Sequence, residues 1–297
     1  MFTGYHLCPE VGIICPEVKR MRLVITGAEG QLGRSLRQVF ANQEMLLLDL
    51  PQWDITSEET ISFLIRWAPD LVIHAAAMTD VDGCEKDPDA AFSVNGQGTR
   101  KVARACQRCN ATMVCISTDY VFDGTKDEPY LESDEPNPIN VYGASKLEGE
   151  KHVQELLQDH YIVRTAWLYG PGGRNFVEKV LQLAEARPEL HYIVTEVGSP
   201  TYTHDLAEGI SRLVRHPQYG IYHLTNEGSC SRYEFARKIL DLGGRGEFPL
   251  YPVESYPRLA KPPPHAILAN VRAAKLGIRL RLWQEALVAY FQERSDG

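Results

Sequence analysis

The chain has 297 residues, with 31 Lys and Arg against 39 Asp and Glu, and 44% of its residues are hydrophobic. This is the composition of an ordinary globular protein, long enough for one large α/β domain and a smaller lobe. The net charge of −8 argues against a nucleic-acid partner, and no apolar run approaches the ~20 residues that cross a bilayer. We therefore expect neither a nucleic-acid nor a membrane partner.

Residues 1–20 show no helical or strand periodicity and lack the apolar core of a signal peptide, which predicts a cytoplasmic location. They form an N-terminal extension that is either a real arm or an artefact of an upstream start, since a natural start at Met21 fits equally well. Seven cysteines in a chain of this size fit a reducing compartment. Cys106 and Cys109 lie in a helical pattern and are interpreted as helix thiols. No Cys or His spacing suggests a metal site.

From Met21 onward, strand-like and helix-like segments alternate, and the strands are nearly continuous apolar runs. This pattern predicts a Rossmann-type doubly wound parallel sheet with helices on both faces, a dinucleotide-binding domain over residues 21–170. The predicted strands are 21–27, 46–50, 70–77, 111–119 and 161–170, and the predicted helices are 31–40, 58–68, 89–110 and 141–157.

After Gly170 the alternation is less regular, and the chain includes a proline-rich loop around residues 262–264. We interpret residues 171–297 as mainly a smaller substrate-binding lobe that partly returns to the sheet. Its predicted helices are 176–185, 205–214, 233–242 and 283–293, and its predicted strands are 191–197 and 221–225.

The first predicted strand leads into a helix through Gly27-x-x-Gly30-x-x-Gly33. Glycines at this spacing permit a tight turn, close approach to a pyrophosphate and close packing of helix on strand. The helix N-terminus then supplies N–H groups and a favourable dipole to the phosphates. The context of strand before and helix after predicts binding of a nicotinamide dinucleotide, NADH or NADPH.

Acidic and small residues at the ends of the next strands extend this prediction. Asp49 ends the second strand, where a carboxylate binds the adenosine ribose and repels a 2′-phosphate, so that NADH is favoured. Asp54 and Ile55 are candidates for the adenine edge. Ala75, Ala76 and Ala77 end the third strand with side chains small enough for a cofactor to lie against the backbone, although tight packing explains them almost as well.

Tyr142-x-x-x-Lys146 places a phenol and an ammonium on one helix face. An ordinary Tyr is a poor acid at neutral pH, and we expect the nearby Lys to lower its pKa. Thr118 ends the fourth strand, where a hydroxyl can orient a substrate carbonyl. The Tyr-x-x-x-Lys motif alone is common in helices. The glycine-rich turn, the strand-end Thr118 and this motif in that order, however, indicate a nicotinamide-dependent oxidoreductase of the short-chain dehydrogenase/reductase type.

Longer motifs carry a specific resemblance. The segment 117–124 (STDYVFDG), the segment 140–150 (NVYGASKLEGE) and the segment 164–170 (RTAWLYG) resemble the dTDP-4-dehydrorhamnose reductase family of extended short-chain dehydrogenases/reductases, and the likeness extends from Met21 to about Phe291. It implies reduction of the C4 keto group of dTDP-6-deoxy-L-lyxo-4-hexulose to dTDP-L-rhamnose.

The resemblance also assigns individual residues. Tyr142 becomes the proton donor, Lys146 its partner and Thr118 the tuning hydroxyl, while Thr118, Asp119 and Trp167 contact the dTDP-sugar. Trp167 as a simple core aromatic is the alternative. Glu29, Gln31, Leu32 and Thr79 join the cofactor-binding residues.

Three points stay open in the sequence. Lys261 precedes Pro262 where family members often carry Arg, and Lys lacks the bidentate geometry of Arg toward phosphate. The alternative functions are a cofactor-binding protein like the regulatory subunit of methionine adenosyltransferase, or a sugar-nucleotide epimerase or dehydratase. A homodimer is compatible with the sequence but is not indicated by any motif.

Overall fold

The computed structural model describes residues 5–7, 14–16, 20–173 and 175–296, and describes no side chains for the first two segments or for residues 295 and 296. Cys8 and the side chain of Cys15 lie outside this description. The strands are β1 (Tyr5–Leu7), β2 (Ile14–Pro16), β3 (Arg22–Thr26), β4 (Glu44–Leu48), β5 (Leu71–His74), β6 (Thr112–Thr118), β7 (His160–Thr165), β8 (Leu168–Tyr169), β9 (Leu190–Ile193), β10 (Val197–Gly198), β11 (Thr201–Tyr202), β12 (Gly220–His223), β13 (Cys230–Ser231) and β14 (Leu250–Val253).

The helices are α1 (Gln31–Val39), α2 (Glu58–Trp67), α3 (Val81–Lys86), α4 (Pro88–Ala91), α5 (Thr99–Cys109), α6 (Val141–Leu156), α7 (Phe176–Ala186), α8 (Thr203–Leu213), α9 (Arg232–Leu242), α10 (Val271–Lys275) and α11 (Trp283–Asp296). None of the helices in the described part of the chain is both long and apolar enough to cross a membrane.

Six parallel strands form the central sheet in the spatial order β12-β7-β6-β5-β3-β4. The chain therefore starts in the middle at β3, moves to β4 at one edge, and then crosses back to β5 on the other side of β3. Ligands of open parallel sheets bind at this reversal, beside the carboxyl ends of the strands. The predicted Rossmann-type doubly wound sheet is confirmed, and β12 is the predicted return of the C-terminal half to the sheet.

Helices cover both faces of this sheet. One hydrophobic cluster includes Leu36 of α1 and Ile210 of α8, and the other includes Leu64 of α2 and Val102 of α5. A third cluster joins α7, α9 and α11 around Phe235 and is the core of the smaller lobe. The domain boundary at Gly170 stays a prediction.

The strand predicted at 191–197 is split into β9 and β10, and three predicted strands of the dinucleotide-binding half also differ from the observed ones. The second was predicted at 46–50 but is β4 at Glu44–Leu48, so Asp49 follows the strand and Leu50 is exposed. The third was predicted at 70–77 but ends at His74, and Ala75 and Ala76 lie against the glycine loop, where a Cβ on Gly27 would be 2.7 Å from the Ala76 nitrogen. The strand predicted at 161–170 is broken into β7 and β8 by Trp167, whose φ is +47°.

The helix predicted at 89–110 is present from Pro88 to Cys109, and the Asp87 side chain accepts the N–H of Ala90 at 3.0 Å as its N-cap. Its middle, Phe92–Gly98, is a π-helix. Such turns are rare and often lie at functional sites. The Asn95 side chain in this turn donates to the Ser145 hydroxyl of α6 at 3.0 Å.

Candidate active site

The glycine loop between β3 and α1 lies at the reversal of strand order. Gly27 has a φ of +68°, and a Cβ there would lie 2.7 Å from the Ala76 nitrogen. A Cβ on Gly33 would lie 2.2 Å from the Gly27 carbonyl oxygen. The loop therefore leaves no room for side chains against α1 and β5, as a cradle for a pyrophosphate requires, and the residues present fit a dinucleotide.

Replacing Gly33 with Ala tests this cradle. We expect the affinity for NADPH to fall by about tenfold or more, because ~1.4 kcal/mol of loop distortion is enough for that change. Cofactor fluorescence titration measures the effect. Gly246→Ala is the matched control, since a Cβ there lies no closer than 3.4 Å to any neighbour and should leave the affinity unchanged. An unchanged affinity in Gly33→Ala would contradict the cradle.

Asp49 lies beside this loop, and its carboxylate is already hydrogen-bonded. Oδ2 accepts the N–H of Glu29 at 2.6 Å and Oδ1 accepts the N–H of Leu50 at 2.8 Å. The carboxylate thus fixes the loop that holds Glu29. Glu29 is exposed and forms ion pairs with Arg34 at 3.2 Å and Arg37 at 2.5 Å.

The remaining predicted cofactor residues fall into different surroundings. Gln31 begins α1 and Leu32 is buried in the core beneath the helix. The Asp54 carboxylate closes a local turn by accepting the N–H and hydroxyl of Thr56 at 2.7 and 2.8 Å. Ile55 is buried against Gly98 of the π-helix. The cofactor roles of these residues and of the partly buried Ala75, Ala76 and Ala77 stay predictions.

The N-terminus of α6 carries the predicted proton donor. The Asn140 side chain caps the helix by accepting the N–H of Gly143 at 2.8 Å. Tyr142 then packs edge-on against Tyr120 with ring centroids 5.5 Å apart. Burial raises the pKa of Tyr142 well above its usual value, and hydrogen bonding with Thr118 partly opposes that rise.

Lys146 lies on the same helix face but is turned to the sheet. Its ammonium donates to the Ile116 carbonyl at 2.7 Å, and burial lowers the pKa of Lys146. The expectation that Lys146 lowers the pKa of Tyr142 was wrong in this structure, because burial dominates and the ammonium is held by the strand. Tyr142 is consequently a protonated phenol, the form that an acid needs.

Thr118 ends β6 and Asp119 follows it, near Tyr142. The Thr118 hydroxyl donates to Asp119 Oδ1 at 3.0 Å and accepts the N–H of Tyr120 at 3.2 Å. Asp119 is only 2% exposed, and burial raises its carboxyl pKa to about 7, against the opposing effects of Thr118 and Arg232. The structure therefore brings together a phenol, a hydroxyl and a carboxyl of near-neutral pKa.

Trp167 faces a cation that the sequence did not reveal. The Arg232 guanidinium carbon lies 3.4 Å from the centroid of the Trp167 ring, a close cation–π contact. Arg232 also lies 3.9 Å from Glu196, which pairs with Arg258 at 2.8 Å. The only sequence signal for Arg232 is its place after Ser231, which begins α9 with a capping box.

A large cleft of about 1840 Å³ separates the sheet from the smaller lobe. Its walls include Thr79, Tyr120, Trp167, Arg232 and Arg258. Lys261 is exposed, and its backbone carbonyl accepts a hydrogen bond from the Asn140 side-chain amide at 2.8 Å. This is the residue that stands where family members often carry Arg, which bears on phosphate binding. The cleft therefore carries arginines of its own within reach of an anionic substrate.

A buried ion pair ties α6 to the sheet one turn beyond Lys146. The Glu150 carboxylate accepts from Arg164 Nε at 2.9 Å and from an Arg164 terminal nitrogen at 2.6 Å, and both side chains are 1% exposed. The Ser117 hydroxyl donates to Glu150 at 2.5 Å. The pair thus fixes α6, the helix that carries Tyr142, to β7, and the Ser117 hydroxyl joins it to β6, the strand that carries Thr118.

Five cysteines have described side chains, and all five are free thiols. Burial raises the pKa of Cys106, and to a lesser degree that of Cys109, which disfavours the reactive thiolate form of both. The interpretation of this C-x-x-C as helix thiols is confirmed. Among the described residues, no three His, Cys, Asp or Glu side chains gather as a metal site would.

A glycine cradle at the strand reversal, with Tyr, Lys and a strand-end Thr beside it, defines a nicotinamide-dependent enzyme of the short-chain dehydrogenase/reductase class. The sequence profile of the RmlD substrate binding domain matches residues 21–295, and the chain belongs to that family. The resemblance stated from the motifs is thereby confirmed.

Individual relatives match over nearly the whole chain. The spore coat polysaccharide biosynthesis protein SpsK of Bacillus subtilis is 42% identical over 281 residues, covering 93% of this chain and 98% of SpsK. The dTDP-4-dehydrorhamnose reductase of Aggregatibacter actinomycetemcomitans is 38% identical over 284 residues, which cover 90% of this chain and 97% of that reductase. The crystal structure of dTDP-4-dehydrorhamnose reductase from Bacillus anthracis in complex with NADP superposes with a TM-score of 0.89 at 39% identity. The match covers 92% of this chain and 99% of the Bacillus anthracis chain.

Proposed function

We propose that this protein uses NAD(P)H to reduce the C4 keto group of dTDP-6-deoxy-L-lyxo-4-hexulose, giving dTDP-L-rhamnose for polysaccharide biosynthesis. The observation that carries the proposal is the packing of Tyr142, at the start of α6, against Tyr120, which follows shortly after the strand-end Thr118, in a chain of this family. The relatives at 38% and 39% identity named above are reductases, which does not favour the regulatory-subunit, epimerase or dehydratase alternatives.

The residues divide the work between cofactor and substrate. When bound along Gly27, Gly30 and Gly33, the nicotinamide cofactor supplies the hydride. Tyr142 gives its phenolic proton to the oxygen of the former carbonyl, as a positioned general acid. Thr118 orients that oxygen, and Trp167 with Asp119 contacts the sugar nucleotide. Lys146 holds the cofactor ribose from α6. The lobe around Phe235 closes the substrate side of the cleft.

Incubation with NADPH or NADH and the 4-keto sugar nucleotide tests the proposal. We expect loss of nicotinamide absorbance together with a product heavier than the substrate by two hydrogens. An epimerase would give a product of unchanged mass, a dehydratase would give loss of water, and a binding protein would give no turnover. Any of these three results overturns the proposed reaction.

The cofactor preference is a separate proposal. The Asp49 carboxylate repels a 2′-phosphate, so NADH should be accepted at least as well as NADPH, although the Bacillus anthracis relative was crystallised with NADP. Asp49→Ala should shift the ratio of kcat/KM values toward NADPH. It should also loosen the loop that Asp49 fixes through Glu29, so the melting temperature is measured alongside. A parent preference for NADPH of about tenfold or more, a difference near 1.4 kcal/mol, would contradict this role.

Three further predictions concern the location, the partners and the domain organisation of the protein. The proposed location is the cytoplasm. A dTDP-sugar is the proposed small-molecule partner, and a homodimer is left open. Residues 171–297 are proposed to form most of the substrate-binding lobe, with β12 as the part that returns to the sheet.

A further inference from the structure

We propose that Asn140 and Asp82 are positioning residues that hold residues 258–262, one wall of the substrate cleft, against α6. We call residues 258–262 the cleft segment. The inference rests on the proposed reductase function, since it assigns the way in which this chain presents the cleft segment to an anionic sugar nucleotide. It concerns substrate binding and leaves the hydride and proton transfers to the residues described above.

The cleft segment depends on outside support because it follows β14 without a helix or strand of its own. Arg258, Ala260 and Pro262 line the cleft, and Ala260 is 2% exposed. Backbone groups that no helix or sheet pairs take partners from the surrounding structure. These partners therefore decide where the cleft segment lies and where it places the Arg258 guanidinium.

Two adjacent residues of the cleft segment are hydrogen-bonded to side chains at α3 and α6. The Ala260 N–H donates to Asp82 Oδ1 of α3 at 3.0 Å. The Lys261 carbonyl accepts from the side chain of Asn140, the N-cap of α6, at 2.8 Å. These contacts span 178 and 121 residues of sequence, so they hold the cleft segment to a distant part of the chain.

The Asn140 side chain, 7% exposed, uses both ends of its amide. Oδ1 accepts the Gly143 N–H at 2.8 Å and caps α6, while Nδ2 donates to Lys261. This orientation places an acceptor against an N–H and a donor against a carbonyl. Beside it, the Glu85 carboxylate of α3 accepts the Val141 N–H at 2.8 Å. The start of the helix that carries the proton donor is thus joined both to α3 and to the cleft segment.

The cleft segment brings a guanidinium to the substrate side. Arg258 pairs with Glu196 at 2.8 Å, and Glu196 also lies 3.9 Å from Arg232. Two guanidiniums beside one carboxylate suit an anionic ligand, and a nucleoside diphosphate is one. Displacement of the cleft segment moves Arg258 and weakens substrate binding, whereas the cofactor is held by the glycine cradle at α1.

Asn140→Ser tests the contact between Asn140 and the cleft segment. Serine caps helices about as well as asparagine, is uncharged, and does not reach Lys261 when its hydroxyl caps α6. We expect KM for the 4-keto sugar nucleotide to rise by about tenfold, the effect of one lost hydrogen bond, with kcat and the affinity for NADPH unchanged. The affinity for dTDP, measured by calorimetric titration, should fall by the same factor. Thr195→Val is the matched control, because it breaks a 2.7 Å hydrogen bond to the Glu254 carbonyl ahead of the cleft segment and should change neither value.

Asp82 separates the effect of position from that of charge. Its carboxylate lines the cleft, so loss of the charge alone would strengthen the binding of an anion. Asp82→Ala should instead raise KM by about tenfold, because Ala260 loses its acceptor, whereas Asp82→Asn keeps an acceptor oxygen and should not raise KM. Arg258→Met should raise KM by itself, and adding Asn140→Ser to it should cost little more, because both changes act through the same guanidinium.

Three results would overturn the positioning role while leaving the reductase function standing. One is an unchanged KM and dTDP affinity in Asn140→Ser. Another is a fall in kcat of that variant as large as its rise in KM, which would assign Asn140 to helix capping alone. The third is an equal rise in KM in Asp82→Asn and Asp82→Ala, which would assign the effect to charge. Melting temperatures identify a folding defect in any variant. Absence of parent turnover would contradict the proposed function itself, and the dTDP titrations would still decide the positioning role.

Discussion

Tyr142→Phe should lower kcat by about 10²–10⁴-fold, the usual contribution of general acid catalysis. The change removes one hydroxyl from a side chain that packs edge-on against Tyr120, so the ring contact and the fold should persist. NADPH binding should also persist, because the phenolic proton is needed for the carbonyl and not for the cofactor phosphates. Steady-state kinetics with the 4-keto sugar nucleotide and cofactor titration measure the two effects separately.

The neighbouring variants give a graded comparison. Lys146→Met should lose a similar factor in kcat and also weaken cofactor binding. Thr118→Val should cost on the order of tenfold, because Thr118 orients the substrate oxygen but is not the proton donor. If the parent protein is active and the Tyr142→Phe variant is equally active, Tyr142 is not the general acid.

The largest expected effect on stability comes from the buried pair of Glu150 and Arg164. Arg164→Met should lower the free energy of unfolding by about 3–5 kcal/mol, because it leaves the Glu150 carboxylate buried without its cation. Among the described residues, the Ser117 hydroxyl then remains as the side-chain hydrogen-bond donor to that carboxylate. Denaturant unfolding measures this loss of stability. We also expect the amide hydrogens in the N-terminal half of α6, around Lys146, to exchange faster with solvent.

Two further variants separate charge from packing. The double variant Glu150→Leu with Arg164→Met should recover part of the loss, since it removes both charges. Arg279→Met breaks an exposed pair with Glu227 and should cost less than about 1 kcal/mol. If Arg164→Met were as mild as Arg279→Met, the buried pair would not be what holds α6 to the sheet.

Local signals in the sequence were sufficient for most of the fold. The apolar runs and the start signal at Asp87-Pro88 predicted the strands and the long helix because they act within one element. The glycine spacing predicted the loop at the strand reversal for the same reason. What the sequence missed depends on distant contacts, such as the early end of β5 beside Gly27.

The site shows the same division. Tyr142, Lys146 and Thr118 could be found because each lies at a defined place in a motif or at a strand end. Arg232 could not, since it meets Trp167 only through the packing of α9, and the left-handed φ of Trp167 has no local cause such as glycine. The raised pKa values of Tyr142 and Asp119 depend on burial by several elements, which no single segment encodes.

Hydride transfer to the sugar is the central claim, and isotopic labelling tests it most directly. The protein is incubated with NADPH carrying deuterium at the transferable nicotinamide position and with dTDP-6-deoxy-L-lyxo-4-hexulose. We expect a product that carries one deuterium, located at C4 of the sugar, with the hydroxyl proton taken from solvent. A product without deuterium, or with deuterium at any other carbon, would contradict reduction of the C4 keto group by this enzyme.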